Sequence, residues 1–229
     1  MPDQPRIVRP LLLGHRGARA VRSIPENSIE SFERALADGC DGFEFDVRLT
    51  ADGEAVVCHD ARVRGVEIAR ACGAQLQDLA RLEDVLERFH DRAFLDVELK
   101  VEGLERITLE MLRKYPLQRG YVVSSFLKRV LCALHKEDKA APLGFICETR
   151  EELAEWMEIP CHYVIPHYSL IVEPLLAEFR SAGKKILVWT VNDRKRMVRL
   201  RDMGVNGIIS DNTSLLHQTL SHLHRGKVL

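Results

Sequence analysis

The sequence predicts an α/β fold, a TIM (β/α)8 barrel with a small extra strand arm after the second strand. Strand-like and helix-like segments alternate along the 229 residues, which implies a parallel sheet. The strand–helix unit occurs eight times, enough to close that sheet on itself, and a chain of this length suits one barrel. No linker, low-complexity run or composition break divides the chain, so residues 1–229 read as a single barrel domain. An open doubly wound sheet is the alternative arrangement.

The first strand is "LLLGH" (11–15), an apolar run closed by Gly17. The helix "NSIESFERALADG" (27–39) follows. Asn27 is placed to cap it, Glu30 completes a capping box, and Ile29, Phe32 and Leu36 share one face. "GFEFDVRLT" (42–50) is the second strand and "AVVCHD" (55–60) the extra arm. "LQDLARLEDVLERFHD" (76–91) reads as one helix with Leu79, Leu82, Val85, Leu86 and Phe89 on its apolar side. Strands "AFLDVELK", "GYVVSSF", "PLGFICE", "HYVIPHY", "KKILVWTV" and "VNGIISD" come next. Helix-like segments separate them, and "TSLLHQTLSHLHR" closes the chain. Gly39, Gly183 and Gly204 each end a helix just before a strand.

Apolar residues make up 46% and charged residues 29%, so the chain can bury a core. A formal net charge of -1 argues against a general nucleic-acid or membrane-surface binder, which needs a basic excess. The six cysteines contain no C-x-x-C and read as reduced thiols. "MPDQPRIVRP" lacks the apolar core of a signal peptide, and no apolar stretch is long enough to span a bilayer. The expectation is a cytoplasmic protein with no stable membrane insertion; the oligomeric state is left open.

Side chains alternate across a strand. In "GFEFDV", Phe43, Phe45 and Val47 share one face, and Glu44 and Asp46 the other. In "FLDVELK" the split recurs, with Asp96, Glu98 and Lys100 opposite Leu95, Val97 and Leu99. The apolar faces should pack on helices and the acidic faces look into the barrel. Converging carboxylates repel, and a divalent cation is the simplest compensation. Oxygen ligands suit Mg²⁺ or Ca²⁺. Lys100 then serves as a point charge for a phosphate oxygen. An internal salt-bridge network is the plainer reading, but two strands with the same acidic face favour a site. Barrel sites lie at the C-terminal ends of strands, so Glu98 and Lys100 are better placed than Asp96, one step deeper.

Nine histidines are present. His90, His135, His217, His222 and His224 fall on helical segments among polar neighbours and read as surface or helix-end residues. His167 ends a strand, where packing and substrate contact are equally open. His15 and His59 each close an apolar run, and two such histidines beside a metal site are the parts acid–base work needs near neutral pH.

The motifs "GHRGA" (14–18), "PENS" (25–28), "FEFDVRLTADGEAVVCHD" (43–60), "VELK" (97–100), "SSF" (124–126), "VWTVND" (188–193) and "MGVNGIISD" (203–211) resemble, in order and over nearly the whole chain, the glycerophosphodiester phosphodiesterase family. The resemblance implies a TIM barrel that hydrolyses phosphodiesters with a divalent metal. By it, Glu44, Asp46 and Glu98 would hold the metal, and His15 and His59 would be the acid–base pair. Arg16 and Lys100 would bind the phosphate, Glu26 and Asn27 would lie near the metal and support it, and Trp189 would pack on the alcohol part of the substrate. The chain departs from the family at "ARVRGVEIARACGAQ" (61–75), short where a longer D-R-T-T-like segment is usual, and at "SDNTS" (210–214) in place of T-D-x-P. Arg19 and Arg22 read as solvated surface arginines. The expected activity is hydrolysis of small glycerophosphodiesters to glycerol phosphate and an alcohol. One alternative is a phospholipase D-like action on lysophospholipids or release of a cyclic phosphate. The other is a catalytically silent barrel that binds a phosphorylated ligand.

Overall fold

A computed structural model describes residues 9–221. Eight parallel strands close into a barrel: β1 (Leu11–His15), β2 (Gly42–Leu49), β6 (Phe94–Leu99), β7 (Tyr121–Ser125), β8 (Leu143–Cys147), β9 (Tyr163–Pro166), β10 (Lys185–Val188) and β11 (Gly207–Ser210). β1 pairs with both β2 and β11, which shuts the ring. The extra arm is β3 (Ala55–Val57), antiparallel to β2, with Val47 opposite Val57. A short hairpin, β4 (Arg62–Val63) and β5 (Val66–Glu67), follows it. The helices are α1 (Ile29–Ala37), α2 (Leu82–Phe89), α3 (Glu105–Lys114), α4 (Lys128–Glu137), α5 (Arg150–Leu153), α6 (Glu173–Ser181), α7 (Arg194–Asp202) and α8 (Thr213–Ser221).

The alternation in β2 is used as its pattern implies. Phe43, Phe45 and Val47 face outward into the main core with Phe32 of α1 and Phe89 of α2. Phe32 stacks on Phe43 with centroids 4.2 Å apart, and Phe89 meets Phe43 edge-on at 5.0 Å. Each buried ring contributes on the order of 2–3 kcal/mol from the area removed from water. This cluster presses the apolar face of β2 against helices and leaves its acidic face no direction but inward. The barrel interior below the acids is filled by Leu13, Phe94, Val122, Ile146, Tyr163, Ile165, Leu187 and Ile209. That plug keeps the polar chemistry at the C-terminal ends of the strands.

Three element expectations need correction. Ser28, not Asn27, caps α1: its backbone is extended and its side chain accepts from the Ser31 N–H. No Glu30 capping box forms, because Ser31 and not Glu30 stands three residues beyond the cap. α2 begins at Leu82 rather than Leu76, so Leu79 leaves the helix. Leu79 and Val63 cover a satellite core of Val56, Cys58, Ile68, Ala71 and Leu76, which gives the 61–75 segment its own apolar support. The helix-like segment between "PLGFICE" and "HYVIPHY", "REELAEWME" (150–158), divides into the single-turn α5 and a 3-10 turn at Trp156–Glu158. Gly39, Gly183 and Gly204 adopt positive φ at helix ends as their placement implies. His222 and His224 lie outside the described residues. The six cysteines are free thiols, four of them buried. Among the described residues no helix is long and apolar enough to cross a membrane.

Candidate active site

The site grows from strand register. β1 sets His15 beside Glu44 of β2, and β2 sets Glu44 beside Asp96 and Asp46 beside Glu98 of β6. Adjacent residues in a parallel sheet point the same way. Four acids and a histidine therefore meet at one end of the barrel, drawn from three neighbouring strands.

Oxygens of Glu44, Asp46 and Glu98 lie within 4.8 Å of one another, and all three residues are buried. Lys100 Nζ is 2.6 Å from Glu98 and 3.2 Å from Asp46. Arg16 Nε is 3.3 Å from Asp46. Two fixed cations thus face four acids, counting Asp96. Burial pushes Glu44 well above the usual carboxylate range, with Asp46 and Glu98 adding repulsion. Burial and the charge on Asp46 raise Glu98 to about 7 although Lys100 opposes the rise. Burial raises Asp96 to about 7, while Ser124 Oγ donates to its Oδ1 at 2.5 Å. Asp46 moves the other way: burial raises it, but Lys100, Arg16 and the Asn27 amide together outweigh burial and lower it. Glu44 Oε1 is buried without a hydrogen-bond partner, and Asp46 Oδ1 has only the Lys100 ion pair. An all-oxygen set with an orphaned buried acceptor and excess negative charge fits a hard divalent cation.

The loop after β1 aims the rest. Arg16 and Gly17 have φ of 51° and 80°. A Cβ on Gly17 would fall 2.4 Å from Ser31 Oγ, so only glycine fits. The turn points the Arg16 N–H at Glu44 Oε2, 2.9 Å away. Its strained conformation is held by Asn27 N–H and Ser31 Oγ–H, which both donate to the Arg16 carbonyl. Asn27 brackets Asp46: its Nδ2 donates to Oδ2 at 2.8 Å, and its Oδ1 accepts from the Asp46 N–H at 3.2 Å. Glu26 stands outside the cup and accepts from Arg16 NH1 and Arg19 Nε, each at 2.7 Å. Arg19 is exposed, as a surface arginine, and is also ion-paired with Glu26 and Asp211.

His15 is 9% exposed. Its Nδ1 is 2.7 Å from Asp211 Oδ1, and its Nε2 is 3.8 Å from Glu44 Oε2. Burial lowers the His15 pKa; Arg16 lowers it further and Asp211 opposes both. Asp211 is lowered to about 2: burial acts against the shift, but His15, Asn192 and Arg19 prevail. His59 sits on the bend beyond β3. Its Nδ1 is 2.8 Å from Asp60 Oδ1, and its carbonyl accepts from Arg48 Nε. Both histidines line one cavity of about 320 Å³ with Arg16, Glu44, Asp96, Glu98 and Lys100. Trp189 lines the same cavity; its Nε1 donates to the Ile165 carbonyl at 2.9 Å, and His167 packs edge-on against it at 5.5 Å.

Asp211 and Asn192 escaped sequence reading. Asp211 lies 196 residues from His15 along the chain, and only barrel closure, which pairs Gly14 with Ser210, makes them neighbours. The usable signal was its place at the C-terminal end of a barrel strand. The Asp96–Ser124 pair was hidden likewise, since the Glu98–Ser124 register that sets it is visible only in space.

A family model described as the Glycerophosphoryl diester phosphodiesterase family matches residues 15–114 and 79–215. The chain is 27% identical over 239 residues to a glycerophosphodiester phosphodiesterase of Caldanaerobacter subterraneus subsp. tengcongensis, covering 91% of this chain and 97% of that one. It superposes on the crystal structure of the glycerophosphodiester phosphodiesterase of Thermotoga maritima with a TM-score of 0.79 and 27% identity, over 92% of this chain and 98% of that one. An Oleispira antarctica phosphodiesterase, solved in complex with the product sn-glycerol-3-phosphate, shares the fold at a TM-score of 0.81 and 23% identity, over 93% and 97% of the two chains.

Proposed function

The chain belongs to the glycerophosphoryl diester phosphodiesterase family, and from that premise we propose that it hydrolyses glycerophosphodiesters to glycerol phosphate and an alcohol with a divalent metal, Mg²⁺ or Ca²⁺. The observation that carries the proposal is the joining of a buried three-acid cup, two cations and two histidines in one cavity. The product held by the Oleispira antarctica enzyme agrees with it.

Glu44, Asp46 and Glu98 would hold the ion, which when bound supplies positive charge to the phosphoryl oxygens and acidifies an oxygen nucleophile. Asn27 positions Asp46, and Glu26 positions Arg16. Arg16 and Lys100 bind the phosphate and stabilise the charge that builds on it as the nucleophile arrives; in a partly dry pocket such fixed charges act more strongly than in water. Asp211 engages Nδ1 of His15 and leaves Nε2 as the working nitrogen. One histidine of the pair takes the nucleophile's proton, and the other protonates the leaving alkoxide. Trp189 packs on the alcohol part.

A second reading, a phospholipase D-like action on lysophospholipids or release of a cyclic phosphate, is favoured by one observation. Leu127 and Val172, 40% and 49% exposed, lie on loops that follow β7 and β9, at the mouth end of the barrel. Phosphorus NMR of the products from chelated enzyme resupplied with each metal separates the readings. Glycerol phosphate from soluble diesters supports the first, and turnover of lysophospholipids or a cyclic phosphate product supports the second. A protein that binds metal and glycerol phosphate but turns over neither would be a silent barrel, contrary to both.

A further inference from the structure

The two histidines of the cavity are held in different ways. His15 belongs to β1 and is buried, and its partner Asp211 is fixed in turn by Asn192 and Arg19. His59 lies on the bend beyond β3. The partner of its ring, Asp60, is 77% exposed, and among the described residues that carboxylate has no other ion pair or hydrogen bond. The arm's last tie to β2 is the Cys58 N–H, which donates to the Asp46 carbonyl at 3.0 Å. Beyond it, among the described residues, neither backbone group of His59 enters a backbone–backbone hydrogen bond. The tie that reaches His59 comes from Arg48, whose Nε donates to the His59 carbonyl at 2.8 Å. Among the described residues this is the one hydrogen bond of that guanidinium, and no ion pair competes for it. Arg48 is the next residue on the face of β2 that carries Glu44 and Asp46. It is half-buried, and its register partner is Val56 of β3.

We infer that Arg48 is a positioning residue that holds His59 in register with the acid cup. This rests on the phosphodiesterase reading of the cavity. The strand that supplies two acids of the cup also supplies the arm that fixes the histidine. A peptide group is planar, so a hydrogen bond at the His59 carbonyl fixes the plane that joins His59 to Asp60. One donor therefore places both the ring and the carboxylate paired with its Nδ1. Asp60 alone cannot do this, because an exposed ion pair is weak and leaves the ring free to swing. A charged guanidinium donor makes a stronger tie than a neutral one. An acid or base must stand within hydrogen-bond reach of the proton it moves, and a misplacement of about 1 Å can cost about 10²-fold in rate. Arg48 touches no reacting atom in this role and acts through His59.

The test is a double-mutant cycle of Arg48→Met and His59→Ala in the full-length, metal-supplied enzyme. It is read as kcat and KM on glycerophosphocholine, glycerophosphoethanolamine and glycerophosphoglycerol. Methionine keeps the apolar stem and removes the donor. Alone, Arg48→Met should lower kcat by about ten- to a hundredfold and leave KM within about twofold on every substrate. In the His59→Ala background it should cost less than about twofold. Arg48→Lys, which keeps a charged donor on a shorter arm, should recover part of kcat. The imidazole NMR signal of His59, assigned by its loss in His59→Ala, should shift or broaden in Arg48→Met without substrate, while that of His15 stays in place. Metal affinity by calorimetry should be unchanged, and a melting curve verifies the fold. An equal loss in both backgrounds, a rise in KM, an unmoved His59 signal or an unchanged kcat overturns the inference while leaving the hydrolase reading intact. Failure of wild type to cleave any of the three overturns the hydrolase reading and the inference with it.

Discussion

Replacing Glu98 by glutamine should stabilise the metal-free protein while removing its ability to bind metal. Burial and the neighbouring Asp46 hold Glu98 at about 7 against an ordinary 4.5. Because the folded-state pKa is raised, the folded protein binds this proton more tightly than the unfolded chain does. Stability from the group is therefore full below pH 4.5 and falls as pH rises, until it is lost above about 7. A rise of this size corresponds to roughly 3 kcal/mol. Glutamine keeps the shape of the neutral acid and has no proton to lose, and Lys100 keeps its pairing with Asp46 at 3.2 Å. With chelator present, Glu98→Gln and wild type should unfold alike near pH 4. At pH 8 the variant should be more stable by about 3 kcal/mol, or about 6–12 °C in Tm for a domain of this size. Denaturant or thermal unfolding at the two pH values measures this. Adding Mg²⁺ or Ca²⁺ at pH 8 should raise wild type and leave the variant unmoved. A metal-free variant less stable than wild type at pH 8, or a difference that ignores pH, would refute the reasoning.

Other consequences are separable from this one. His15→Ala and His59→Ala should each lower kcat by about 10²–10⁴-fold with metal binding preserved, read by turnover and calorimetry on the same samples. Asp211→Asn should lower kcat more than it raises KM and shift the pH–rate profile, because it frees the His15 ring; a change confined to KM would contradict that role. Asp211 also has its folded pKa depressed to about 2 from 3.8, so its contribution to stability is present above 3.8 and is lost as pH falls through about 2. Asp211→Asn should flatten that acid limb in a pH-dependent unfolding series. Ser28→Ala should cost about 1 kcal/mol with metal affinity intact, whereas Asn27→Ala should weaken metal binding, since the two residues divide capping and carboxylate support between them.

The barrel was legible because its periodic signals are local. Period-two alternation in β2 and β6 sorts Phe43, Phe45 and Val47 from Glu44 and Asp46 without knowledge of any partner, and the packing of Phe32, Phe43 and Phe89 follows from it. Glycine at helix ends is likewise a one-residue signal. What escaped reading depended on contacts between distant segments. Asn27 looks like a cap because caps are asparagine-rich; the structure gives that task to Ser28 because the backbone turns at Asn27, φ 56°, to reach Asp46. The early start assigned to α2 failed because Leu79 finds a better apolar surface under the 61–75 segment than on a helix. Asp211 could not be paired with His15 until the first and last strands were joined. Glu26 sat in a recognised motif, but its partners, Arg16 and Arg19, are set by the geometry of a tight turn.

The acid cup is tested most directly by titrating chelated protein with Mg²⁺ and Ca²⁺ in a calorimeter, wild type against Glu44→Gln and Asp46→Asn. One ion per chain should bind wild type, with proton release at pH 7 because Glu98 must give up a proton to accept it, and affinity in either variant should fall at least about tenfold. Unchanged affinity in both variants would mean that these carboxylates do not hold the ion.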